Sequence, residues 1–158
     1  LHWTAGTHHA SVYEREHYHW LIEGDGTVVE GVPVAANLRT LQPGDTYAAH
    51  TRGFNSYSVG VAFCGMHGAK PGGPYGVFPL LESQVREGCI FVGYLCHLWG
   101  MDVTPETVFT HAEAERLHGV AQVGKWDIDV LPFAPDLSPQ AVGDWLRERI
   151  HDAATVEV

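Results

Sequence analysis

The sequence predicts an α/β fold, a single domain with a central mixed β-sheet flanked by helices. Three observations carry that reading: two β-rich runs around a tight-turn dipeptide, one continuous apolar run of strand length, and two stretches with apolar positions at helical spacing. The 158 residues suffice for one domain, taken here as 1–158, with a single core.

The runs Tyr18–Ile22 and Thr27–Val32 flank Asp25-Gly26, a dipeptide suited to the positive φ angles of a hairpin turn. Residues 37–56 are rich in turn formers and read as loop. Tyr57 to Gly65, "YSVGVAFCG", is apolar and β-branched, as expected of a central strand buried on both faces. The Gly/Pro-rich segment "MHGAKPGGPYGVFP" excludes helix. Beyond it Leu81, Val85, Phe91, Val92, Leu95, Leu98 and Trp99 recur at helical spacing and stop at Gly100. Thr107 to His111 reads as a further short strand. Ser138-Pro139 is a helix start, with an N-cap serine and a proline in the first turn, and that helix continues through Val142, Trp145, Leu146 and Ile150.

Composition narrows the function classes. A formal net charge of −10 argues against a partner held through nucleic-acid or membrane phosphates, because such binding depends on Lys and Arg. No apolar run reaches the roughly 18 residues of a membrane span. Cys64, Cys89 and Cys96 are odd in number and form no Cys-x-x-Cys pair, so neither a zinc knuckle nor a disulfide framework is indicated. The opening "LHWTAG" lacks the basic and apolar stretches of a signal peptide, so synthesis in the cytoplasm is expected. It also lacks a methionine, as expected of a domain cut from a longer chain. Histidine is the oddity: there are eleven, five of them within the first nineteen residues. It is the commonest metal ligand and titrates near neutrality.

Three separated places offer metal ligands: His2 in "HWTAG", His111 in "FTHAE" and Asp127 in "GKWDID". None has the spacing of a one-helix zinc motif, so each taken singly is also an ordinary structural residue. The order of motifs along the chain says more. "HWTAG", "YHWLIEGDGTVVEG", "AAHTRGFNSYSVGVAFCG", "THAE" and "KWD" follow one another from residue 2 to about residue 130. Together they resemble the zinc-dependent N-acetylmuramoyl-L-alanine amidases, which include the bacteriophage lysozyme-type amidases and the peptidoglycan recognition proteins.

The resemblance implies zinc held by His2, His111 and Asp127, with Asp129 as the alternative third ligand. Two imidazoles and a carboxylate leave the open position that a hydrolytic zinc needs. It further implies that Lys125 and Tyr18 are the catalytic residues outside the ligand set. An ammonium at Lys125 can hold a developing oxyanion, and the Tyr18 phenol can orient water or share its proton. His50 matches a histidine by the substrate cleft, or is a loop histidine bonded to nearby backbone. Arg52 pairs with peptide carboxylates or is solvated; Asn55 and Ser58 pin their loop. Trp3 and Trp126 adjoin ligands and form a cleft wall or core. His19 alternates with Tyr18 and is expected on the opposite face.

The chain departs from the family at three points. Ala62 stands where some branches carry a glutamate, which throws weight onto Tyr18. The stretch between His111 and Asp127 is longer than in many members, and the proline after the last ligand is absent. Finally, the helix after the first histidine is short or missing. The implied function is hydrolysis of the N-acetylmuramic acid–L-alanine bond of peptidoglycan by a phage or prophage enzyme acting on the cell wall. Alternatives are a peptidoglycan-binding module without catalysis and a zinc hydrolase cutting another stem-peptide amide.

Overall fold

The structure is a computed structural model and describes residues 1–156. Four short strands form one mixed sheet: β1 (His2–Trp3), β2 (Trp20–Ile22), β3 (Val28–Glu30) and β4 (Val61–Phe63), in the order β1-β4-β2-β3. β4 runs parallel to both β1 and β2, and β2 is antiparallel to β3. The helices are α1 (Val12–Arg15), α2 (Glu82–Leu98), α3 (His111–Arg116) and α4 (Pro139–Ala154), with a 3-10 turn at Val34–Asn37.

The expected hairpin forms, with a shorter ladder than its β-rich runs. Glu23 N donates to Thr27 O and Gly26 N to Glu23 O, which closes a three-residue loop. Gly26 alone takes the positive φ, at 88°, while Asp25 contributes its Oδ1 as acceptor for Thr27 N. The apolar run expected as a central strand supplies β4, fully buried along its length. Only its second half is extended ladder. Tyr57 adopts a φ of 56° and donates its N–H to Asn37 O, so the chain turns before it enters the sheet.

α2 covers the sheet through Val85, Cys89, Val92 and Cys96, all buried. Gln84 in its first turn donates Nε2 to Ile22 O (3.0 Å) and Cys64 O (2.8 Å), bolting the helix to the ends of β2 and β4. Two glycines permit the close packing. A Cβ at Gly88 would overlap the Phe63 ring, and one at Gly93 would stand 2.6 Å from Ala153 Cβ and 2.7 Å from Ile150 O of α4. The sheet, α2 and α4 thus share one core, in which Phe63, Ile22, Leu146 and Ile150 are fully buried.

The strand expected at Thr107–His111 does not form. Thr107 and Val108 turn back onto Thr104 O, and Thr110 caps α3 instead. Its side chain accepts from Glu113 N while Glu113 Oε2 accepts from Thr110 N, a reciprocal capping box. The β-branched residues that suggest a strand lie directly before a Thr-x-x-Glu start signal, and the capping chemistry prevails. The early helix α1, short as expected, opens on a second such box, Ser11 with Glu14.

Candidate metal centre and cleft

Residues 2, 111 and 127 meet because of how α3 begins. The first backbone N–H groups of a helix have no partner within it. Here His111 N donates to Leu1 O (3.0 Å) and Ala112 N to Asp127 O (2.7 Å). One helix turn therefore clasps the backbone beside His2 and the backbone of Asp127 itself, and brings all three side chains to one point.

At that point His2 Nδ1 lies 3.1 Å from His111 Nδ1 and 3.1 Å from Asp127 Oδ2, and His111 Nδ1 is 3.4 Å from Asp127 Oδ1. All three residues are buried. Two donors on a tetrahedral zinc, each about 2.0–2.1 Å from the ion, stand roughly 3.3–3.4 Å apart, so the triangle has the right size. The charges also suit a cation. Burial foremost drives the His2 pKa down to about 4, so its imidazole is neutral near pH 7. Burial alone would raise Asp127, but the His111 and His2 rings beside it outweigh that and hold the carboxyl well below its ordinary range. The neutral His2 imidazole, the His111 imidazole and one carboxylate converge out of water as a set that can hold a metal ion. Asp129 lies outside the cluster and is engaged by Arg116 at 2.9 Å.

Outer partners hold each ligand. His2 Nε2 faces His50 Nδ1 and Thr51 Oγ1, both at 3.2 Å, and His111 Nε2 is 2.9 Å from Gln122 Oε1. Neither Thr51 nor Gln122 is singled out in the sequence, where neither residue type signals a ligand partner. Their role depends on side chains 49 and 11 positions away.

His111 and Asp127 line an open cleft of about 1000 Å³, with buried His2 beside them. Tyr18, His50, Arg52, Lys125, Trp3 and Trp126 all line it, so the expected site residues come together. Tyr18 sits with its ring 5.2 Å from that of His2, and burial together with the Asp127 carboxylate raises its pKa, so the phenol keeps its proton. Lys125 and Arg52 are exposed and form no salt bridge with another described residue. Trp3 and Trp126 meet edge to face at 4.6 Å, making one apolar wall. His19 points away, with Nε2 on Asn37 Oδ1 and Nδ1 accepting from Gly60 N.

His50 is placed differently from a free cleft histidine. It is buried, its Nδ1 is taken by Thr51 and His2, and its Nε2 lies 3.0 Å from Ser58 Oγ. Asn55 Oδ1 accepts from both His50 N and Thr51 N at 2.9 Å and fixes the loop, as expected. A mostly apolar cavity of about 600 Å³ backs onto the same histidines, walled by Val92, Leu95 and Trp99.

A family model described as N-acetylmuramoyl-L-alanine amidase matches residues 1–127 and so takes in every member of this cluster. No curated protein and no solved structure matches the chain. With four-fifths of its length covered by that model, the chain belongs to the N-acetylmuramoyl-L-alanine amidase family.

Proposed function

We propose that the chain is a zinc-dependent hydrolase of the amide between N-acetylmuramic acid and L-alanine in peptidoglycan. The observation that carries this is the convergence of His2 Nδ1, His111 Nδ1 and the Asp127 carboxylate at 3.1–3.4 Å, where His111 and Asp127 line the cleft. These three residues would hold the ion, which when bound supplies Lewis-acid activation of water and of the scissile carbonyl. The complete ligand set favours an enzyme over a binding module of the same fold.

The chain's own residues supply the rest. Lys125, exposed in the cleft one residue from Trp126 and two from Asp127, presents an ammonium to the oxygen that becomes negative during attack on the amide. Tyr18 remains a phenol and donates a hydrogen bond that orients the attacking water. Arg52 offers a guanidinium to the carboxylates of the stem peptide. His50, with both ring nitrogens occupied, supports His2 and leaves substrate recognition to its neighbours. The Trp3–Trp126 wall excludes water from one flank of the cleft.

The resemblance of the ordered motifs to bacteriophage lysozyme-type amidases supports a phage or prophage role, with synthesis in the cytoplasm and action on the wall. Removing metal with a chelator and restoring it tests the zinc dependence. Wall-lytic activity should vanish on chelation and return at about one zinc per chain, as for mononuclear hydrolytic sites. Full activity in a metal-free preparation would overturn the assignment.

A further inference from the structure

We infer that Gln122 is the positioning residue that holds His111 in the one tautomer able to bind metal, an inference that rests on the zinc reading above. Gln122 is buried, and its amide cannot be turned over. Nε2 donates to Arg52 O at 2.9 Å and to Val120 O at 3.2 Å, both carbonyls that accept only. Oε1 therefore faces His111 Nε2 at 2.9 Å and can only accept from it. The proton of neutral His111 is thereby placed on Nε2, and the Nδ1 lone pair is left pointing at His2 and Asp127.

His2 has no such lock. Its Nε2 meets Thr51 Oγ1 and His50 Nδ1, and a hydroxyl or an imidazole nitrogen can either give or take a proton. His2 can therefore carry its proton on Nδ1 toward Asp127 when no ion is bound and on Nε2 when one is. His111 is fixed in both states. The backbone around Gln122 makes it a rigid anchor as well: Gln122 N donates to Glu115 Oε2 at 3.0 Å. The side chain also reaches 70 residues back, to the loop carrying Arg52, so its orientation does not depend on its own turn alone.

Zinc affinity measured by competition with a chromophoric chelator tests this on wild type, Gln122→Met and Gln122→Glu. Methionine fills the space without an acceptor, and its zinc affinity should fall by about 10–100-fold. Glutamate keeps an acceptor for His111 Nε2, and its second oxygen, facing Arg52 O and Val120 O, has to carry a proton to donate to them; its affinity should lie clearly above that of Gln122→Met, a rescue that a packing role would not give. Wild-type affinity in Gln122→Met, or an equal loss in Gln122→Glu, overturns the inference. Should the methionine variant fail to fold, histidine ring nitrogen resonances of metal-free wild type decide: protonation of His111 at Nε2 is expected, and at Nδ1 would contradict it. A wild type that takes up no zinc would instead sink the zinc reading itself.

Discussion

Lys125 and Asp127 sit two residues apart, yet their surroundings are opposite. Asp127 is buried, its carboxylate 3.1 Å from His2 Nδ1 and 3.4 Å from His111 Nδ1; Lys125 is exposed and forms no salt bridge with another described residue. A buried carboxylate without partners would be costly, so Asp127 is tied to the fold as well as to the proposed metal site. An exposed ammonium contributes little to stability, so the role proposed for Lys125 is separable from the fold. Lys125→Ala should accordingly retain zinc and the melting temperature while turnover drops by roughly 10²-fold or more. Kinetics beside metal analysis check this, and wild-type turnover would return Lys125 to the solvated surface. Of the two aspartates that flank Ile128, Asp127 stands with His2 and His111, while Arg116 engages Asp129.

Among the elements, α3 matters most for the site although it has only six residues. Its first-turn N–H groups bind the backbone at Leu1 and Asp127, so its cap controls the geometry of the whole ligand set. Thr110→Ala removes that cap and should cost about 1 kcal/mol of stability, read as a fall in melting temperature of about 2–4 °C for a domain of this size. An unchanged melting temperature would mean that the capping box carries no load. The same element marks where reading by composition fails. Val108 and Phe109 suggest a strand, while "THAE" spells a capping box; the local start signal was legible, and β-propensity hid it. The hairpin and both long helices were legible because their periodicity and turn residues are local. Short ladders were not, since pairing length depends on partners such as Asn37 O, which turns the chain at Tyr57.

Across the whole molecule, the motif order pointed to His2, His111 and Asp127, which the fold brings within 3.1–3.4 Å of one another. The supporting shell was not legible: Gln122, Thr51 and Ser58 acquire roles only through contacts made by folding. That shell also shapes the pH response. His2, pushed down to about 4, and His19 and His50, also lowered, owe their shifts first to burial. In the unfolded chain the same groups titrate near 6.5. Between these limits the unfolded chain binds more protons than the folded one, so folding stability rises with pH. For metal-free protein, their contribution should be complete above about pH 6.5 and drain away as pH falls toward 4. Denaturant unfolding across that range checks the sign; stability that is flat or rises on acidification would contradict it.

The central claim is the bond that is cut. Purified peptidoglycan digested with the zinc-loaded protein, and with Asp127→Asn beside it, can be analysed by mass spectrometry of the new ends. Free lactyl carboxylates on muramic acid, matched by new amino-terminal L-alanine, are expected from the zinc-loaded protein, and none from the variant. New ends at another amide, or equal cleavage by Asp127→Asn, would contradict that claim.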